Sequence, residues 1–383
     1  MIKSMRIPLS KPALLDPDIE SAVNIIKSGR LVSGRTVETF ERQLATYVKT
    51  EYAVCVSSGT AALHLGLLAL GIRPGDDVIV PAFSYPASAN AVEVVGARPI
   101  FIDSEPNGFN VDVSEIENNI TSRTRAIMIV HNFGWPVEIN KIHALSAKYN
   151  IPVIEDAACA LGSSIGSVRC GNLGRLGIFS FHPRKIMTTG EGGAVVTNDL
   201  QLAEEIRKLR NHGQDISRGV DFVMPGFNYR MTDFQAALGV SQMKRFDSIL
   251  LERSKTAGYY HKNLNGMEFL RPCVPGANRR LNYQTYVAFV PRDHRDKLID
   301  HLKGYDIEAG IGTYSIPHTT YYSTKYGIDK SRYPESLSAF RNLISLPLYG
   351  GITNDEQDNV MEALKKYKAD RKGSRIRQTV ETS

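Results

Sequence analysis

The stretch Gly177-Ile178-Phe179-Ser180-Phe181-His182-Pro183-Arg184-Lys185-Ile186-Met187-Thr188-Thr189-Gly190-Glu191-Gly192-Gly193-Ala194-Val195-Val196-Thr197-Asn198 decides the fold. Two apolar runs, 177–182 and 193–198, are separated by only ten residues. A parallel crossover needs about a dozen residues or more, so the second run is predicted to return antiparallel to the first. Five further runs rich in β-branched residues precede them, at 52–58, 77–83, 98–103, 126–133 and 152–158. Helical periodicity lies between several of these runs. Leu63, Leu67 and Leu70 close on Gly71, and Ile142, Leu145 and Tyr149 close on Asn150 with Pro152 beyond. Strand and helix in alternation predict an α/β fold with a large mixed, mostly parallel seven-stranded sheet covered by helices on both faces.

Outward from this sheet the pattern changes. Leu202, Ile206 and Leu209 read as a helix, and Thr232 with Gln235 forms a capping box opening a long helix from Asp233 to about Leu251. A strand at 283–290, a helix at 293–303 and a last helix opened by Thr353 and Glu356 predict a smaller C-terminal α+β domain. Near the start, Asp16 as N-cap, Pro17 in the first turn and Gly29 as stop frame another helix. The domain reading is an N-terminal arm and helix at 1–30, a large domain at 31–250, a small domain at 251–367 and a basic, flexible tail at 368–383.

The chain has 383 residues, of which 42% are hydrophobic and 22% charged. That is the make-up of an ordinary globular protein of roughly two domains, neither disordered nor fibrous. No apolar run approaches the roughly 18 residues of a membrane span, and the first eight residues lack the apolar core of a secretory signal. The four cysteines are widely spaced with no Cys-x-x-Cys, so no disulfide framework, zinc module or other metal site is expected. From Lys365 onward seven basic and two acidic residues carry +5 of the net +6, leaving the other 364 residues at +1. A basic terminus poor in apolar residues reads as a solvated tail, so neither nucleic acid nor membrane is expected as a partner. The expected setting is cytoplasmic.

Three short motifs carry chemistry. Ser57-Ser58-Gly59-Thr60-Ala61 stands where a strand gives way to a helix, and free amides there suit a phosphate. Read alone, it is more readily a helix cap on Ser58 or Thr60. Ile154-Glu155-Asp156-Ala157-Ala158 ends an apolar strand, where open α/β sheets place ligands. A carboxylate there stays ionised opposite a cationic heterocycle such as a pyridinium ring, or else caps the next turn. In the third, a strand ending in Ser180 is followed by Lys185 and the Gly-rich turn 190–193. A lysine held at a strand end suits Schiff-base chemistry, although a single lysine is more often solvated.

The order of these motifs, with Asn228-Tyr229-Arg230-Met231-Thr232-Asp233-Phe234-Gln235-Ala236-Ala237-Leu238, resembles the fold-type I, pyridoxal-phosphate-dependent sugar aminotransferases of the DegT/StrS type. The resemblance runs from about residue 8 to 364. It implies that Lys185 binds pyridoxal 5'-phosphate as a Schiff base and then shuttles the proton. The resemblance also implies that Asp156 pairs with the ring nitrogen, so that the ring can act as an electron sink. It implies further that Gly59, Thr60 and Ser180 hold the phosphate, that Tyr85 stacks on the ring, and that Asn228 reaches the phosphate of a neighbouring subunit in a homodimer with shared sites. Arg230 is assigned to the carboxylate of the amino donor, which a guanidinium matches bidentately. Tyr314, His318 and Tyr349 fall in regions that line the sugar pocket in relatives, and each is equally readable as a packed core residue.

Three departures from the family pattern stand out. Cys159 occupies the place where many members carry Gln or His beside the cofactor hydroxyl, and a thiol is a weaker donor. Arg184 is either a surface charge or a contact to an anionic substrate. The segment 29–34 lacks the aromatic residue often found there. The resemblance implies amino transfer from glutamate or glutamine to a nucleoside-diphosphate keto-deoxysugar. Two other readings remain open here: a free cyclitol ketone as acceptor, and a non-enzymatic regulator that keeps the fold. Relatives with His at the lysine position dehydrate sugars instead, and Lys185 disfavours that reading.

Overall fold

The computed structural model describes residues 6–276 and 278–367; the basic tail at 368–383 lies outside the described residues. Seven strands build the main sheet: β1 (Tyr52–Val56), β2 (Asp77–Pro81), β3 (Arg98–Ile102), β4 (Thr124–Val130), β5 (Val153–Asp156), β6 (Leu176–Ser180) and β7 (Gly193–Thr197). Their order is β1-β7-β6-β5-β4-β2-β3. Pairing is parallel from β3 through β2, β4 and β5 to β6. β7 runs antiparallel to both its neighbours, β6 and β1, as its short connection requires.

Helices cover both faces of the sheet: α1 (Asp16–Lys27), α2 (Arg35–Val48), α3 (Gly59–Ala69), α4 (Ala87–Val94), α5 (Asn140–Tyr149), α6 (Leu200–Arg210), α7 (Asp233–Met243) and α8 (Phe246–Leu264). One face packs Phe40, Leu44, Ile142, Phe181 and Phe246 against β-branched strand residues. The other packs α3, α4 and α6. α3 is apolar nearly all round because it is covered nearly all round, the expected composition of a buried helix. Phe40 and Phe181 meet at 5.1 Å between ring centroids, and full burial of each such side chain contributes about 1.5–3 kcal/mol.

The expected helix 233–251 is two helices. α7 ends at Met243, and Arg245 turns out to donate to Asp18 Oδ2 (2.6 Å) and to the Ala13 carbonyl (2.7 Å) before α8 begins. α8 continues to Leu264, so the expected domain boundary at 250/251 lies inside a continuous helix. α1 also differs in detail. Its N-cap is Leu15 rather than Asp16, because Asp18 reaches back to accept the Leu15 amide at 2.9 Å.

A second, four-stranded antiparallel sheet follows: β8 (Arg271–Pro272), β9 (Tyr286–Phe289), β10 (Gly310–Ile311) and β11 (Leu343–Leu346), ordered β8-β9-β11-β10. α8, α9 (Arg295–Lys303) and α12 (Asn354–Lys366) pack with it around Tyr260, Leu298 and Leu364. The N-terminal segment belongs to the same packing, since Ile7 bridges Ile307 and is buried. Between α9 and β11 the chain returns to the main sheet through α10 (Thr320–Tyr326) and α11 (Pro334–Asn342). Tyr322 packs edge-on to Phe101 at 5.4 Å, and Asp103 caps α11 by accepting the amides of Glu335 and Ser336. The two sheets are therefore tied together at several points.

A close joint lies where β1, β7 and α3 meet. A Cβ placed on Gly193 would stand 2.6 Å from the Gly59 nitrogen, a distance only glycine avoids. Gly193→Ala is expected to destabilise the fold by about 3 kcal/mol through overpacking, read as a lower urea midpoint at unchanged slope. A variant as stable as the parent would contradict this close approach.

Candidate active site

Because β1, β5 and β6 are parallel, their C-terminal ends share one edge of the sheet. Reversed β7 begins at that edge, with Gly193 pairing to both Val56 and Ser180. Val56, Gly193 and Ser180 thus stand side by side, and α3 starts directly above them. Ser58 caps α3, its Oγ accepting the Ala61 amide at 3.0 Å. The amides of Gly59 and Thr60 have no acceptor within the helix, and none among the described residues takes them. A Cβ on Gly59 would lie 2.8 Å from Ser180 Cβ. The structure therefore brings Gly59, Thr60 and Ser180 together as a small cradle of two free amides and one hydroxyl, suited to an anion.

Asp156 ends β5 at the same edge and is buried. Its Oδ2 accepts from Ser88 Oγ at 2.7 Å and its Oδ1 from the Ala158 amide at 3.2 Å. No cationic side chain among the described residues pairs with it. Glu155, one residue earlier, points to the other face and does different work. It accepts from His131 Nε2 (2.9 Å) and from the amides of Gly171, Leu173 and Gly174, fixing the loop that leads into β6.

Lys185 lies on the loop between β6 and β7, half-buried, with Nζ 2.9 Å from Cys159 Sγ. Two glutamines clamp that loop. Gln284 accepts the Ile186 amide (2.8 Å) and donates to the Arg184 carbonyl (2.7 Å). Gln242 does the same at Thr188, at 3.1 and 2.7 Å. Arg184 itself is exposed.

Tyr85 is 67% exposed and stands 6.3 Å from the ring of Tyr314. The pairing of Ser84 with Tyr314 holds them together, so residues far apart in sequence form one aromatic wall. His318 joins this wall through Ser315, whose Oγ lies 2.7 Å from Nδ1. Tyr349, by contrast, is buried in the core of the second sheet. Arg230 is directed elsewhere. Its guanidinium donates to Asn211 Oδ1 at 2.6 Å and lines a cavity of about 430 Å³ with Ser33, Arg207 and Arg210. Its backbone still borders the cradle, because the Ser57 amide donates to the Tyr229 carbonyl at 2.8 Å. Asn228 is exposed beside that contact.

Ser88, Gln242 and Gln284 escaped the sequence reading. None of the three left a signal, since Gln242 shares α7 with the polar Asp233, Gln235 and Ser241. Among the described residues there is no cluster of potential metal ligands, no disulfide, and no helix long and apolar enough to cross a membrane.

A strand-edge anion cradle, a buried carboxylate and a clamped lysine make up the equipment of an enzyme that handles a phosphorylated, ring-cationic group. The DegT/DnrJ/EryC1/StrS aminotransferase family matches residues 14–365, and the chain belongs to that family. It is an aminotransferase. The GDP-perosamine synthase of Caulobacter vibrioides is 38% identical over 338 residues, covering 86% of this chain and 90% of that protein. A UDP-4-amino-4-deoxy-L-arabinose–oxoglutarate aminotransferase of Shewanella sediminis is 33% identical over 377 residues, covering 94% and 97%. Among solved structures, Spr1654 from Streptococcus pneumoniae in its PLP-form superposes with a TM-score of 0.89 at 30% identity, covering 94% of this chain and 97% of that one.

Burial, helped by Lys330 and Arg341, holds the His318 imidazole below its ordinary pKa of 6.5. The neutral ring is favoured by folding, so the stability it contributes is present above pH 6.5 and is lost as pH falls through the depressed value. Histidine-labelled NMR is expected to place the His318 titration below 6.5; a value at or above 6.5 would contradict the environment described.

Proposed function

We propose that this edge holds pyridoxal 5'-phosphate and that the enzyme moves an amino group from glutamate, or glutamine, to a nucleoside-diphosphate keto-deoxysugar. The observation that carries the reading is the buried Asp156 carboxylate, which has no cationic partner among the described residues. A desolvated carboxylate is stabilised by an opposing charge, and a protonated pyridine nitrogen supplies one. The bound cofactor contributes an electron sink for the carbon that loses or gains a proton.

The chain's own groups have separable tasks in this reading. The amides of Gly59 and Thr60 with the Ser180 hydroxyl bind the phosphate. Asp156 holds the proton on the ring nitrogen. Lys185 would hold the cofactor through Nζ and would move the proton at the substrate carbon. The Gln242 and Gln284 clamps restrict the loop that presents Lys185. Tyr85 covers the ring, and Cys159 sits beside Lys185 in the place of a stronger hydrogen-bond donor. Tyr314 and His318 face the acceptor sugar, and Arg230 would receive the donor carboxylate only by releasing Asn211 and turning toward the cradle.

The active unit in this reading is a homodimer with shared sites. An apolar stripe on α1, Leu15, Ile19, Val23 and Ile26, is exposed in the single chain and offers a surface for a second copy. In this reading Asn228, exposed beside the cradle, serves the partner's phosphate. The nucleotide-linked sugars in the names of two relatives favour that acceptor over a free cyclitol.

The test is an amino-transfer assay with L-glutamate and a nucleoside-diphosphate 4-keto-6-deoxyhexose, read by mass spectrometry for 2-oxoglutarate and the aminated sugar. Transfer is expected from a species of twice the chain mass by light scattering, and Lys185→Ala is expected to lose at least about a hundredfold in rate while remaining folded. Full activity in Lys185→Ala would overturn the mechanism. Transfer to a free cyclitol ketone alone would overturn the nucleotide-sugar assignment.

A further inference from the structure

Behind Asp156 lies a short chain of hydroxyls that no part of the sequence reading anticipated. Ser88 Oγ is 2.7 Å from Asp156 Oδ2, and Ser84 Oγ is 2.9 Å from Ser88 Oγ. Ser84 and Ser88 are both at most 1% exposed. We propose that Ser84 and Ser88 form a directed hydrogen-bond relay that positions Asp156 and holds it ionised, so that the proton of the Asp156–ring contact stays on the ring nitrogen. The inference rests on the reading that Asp156 faces the cofactor ring.

The direction of the relay follows from donor arithmetic. A carboxylate only accepts, and a serine has one proton to give. Ser88 therefore gives its proton to Asp156, and the 2.9 Å contact behind it is filled by the Ser84 proton. Each hydroxyl polarises the next, which strengthens the bond at the carboxylate end. Hydrogen bonds to the charged form of an acid favour that form. With Ser88 on Oδ2 and the Ala158 amide on Oδ1, each carboxylate oxygen is already held by one donor, which fixes the side chain.

The relay is anchored from two sides. Ser88 sits in the first turn of α4, its amide bonded to the Tyr85 carbonyl at 3.2 Å. Ser84 is held by pairing with Tyr314. The five residues 84–88 thus carry both the exposed ring of Tyr85 and the buried support of Asp156. Ser88 is buried and acts through Asp156, which makes it a positioning residue. Its loss is expected to act on turnover while leaving donor binding largely unchanged.

The experiment compares the holoenzyme with Ser88→Ala, Ser88→Thr and Ser84→Ala, each loaded with pyridoxal 5'-phosphate labelled with nitrogen-15 in the ring. The expected parent signal is that of a protonated pyridine. Ser88→Ala is expected to move the signal toward the neutral-pyridine position and to lower kcat about ten- to a hundredfold with KM for L-glutamate nearly unchanged. Ser88→Thr, which keeps the hydroxyl, is expected to restore both, and Ser84→Ala to show a smaller change of the same sign. Parent-like nitrogen shift and kcat in Ser88→Ala would overturn the relay. If Ser88→Ala fails to fold, Ser84→Ala decides in its place, and a parent-like shift there overturns it equally. A parent enzyme that binds the labelled cofactor with a neutral ring nitrogen would overturn the reading of Asp156 and the relay with it. A protonated parent signal that no serine variant moves would overturn the relay alone.

Discussion

The contact on which the site depends is the seating of the first turn of α3 against the ends of β6 and β7. Gly59 rests on Ser180 and Gly193 on the Ser58–Gly59 peptide, at distances where any side chain would collide. Only that approach delivers the free amides of Gly59 and Thr60 to the edge where Ser180 ends its strand. The reversal of β7 makes it possible, because it places the start of a strand rather than its end beside Ser180. Fold and cradle are thus one constraint: the same short return that makes the sheet mixed also opens room for an anion.

Alternation along β5 explains why two adjacent carboxylates have unlike roles. Glu155 and Asp156 point to opposite faces. Glu155 is completely enclosed and saturated by His131 and three loop amides. His131 Nδ1 accepts the Val137 amide, so Nε2 carries the proton directed at Glu155. Asp156 ends β5 at the sheet edge, held by Ser88 and the Ala158 amide with no cationic partner among the described residues. One carboxylate fixes the loop entering β6, and the other is left for chemistry.

Much of this was legible in the sequence because it rests on local rules. Strand runs, the ten-residue return and the stops at Gly71 and Asn150 depend on spacing and on left-handed backbone, and Gly71 and Asn150 both adopt positive φ. The capping box at Thr353 is likewise formed by its own neighbours. Interactions across long separations were not legible. The break between α7 and α8 is made by Arg245 reaching Asp18, 227 positions away. The loop of Lys185 is held by Gln284, and the aromatic wall pairs Tyr85 with Tyr314. Periodicity carries no record of such partners. The site residues named from the motifs gather at one edge, whereas Arg230 turns its guanidinium to Asn211.

A crystal structure of the protein grown with pyridoxal 5'-phosphate tests the central claim most directly. The account predicts density continuous with Lys185 Nζ, a phosphate on the amides of Gly59 and Thr60 and the Ser180 hydroxyl, and a ring nitrogen within hydrogen-bonding distance of Asp156. A cofactor seated elsewhere, or a phosphate remote from the start of α3, would contradict it.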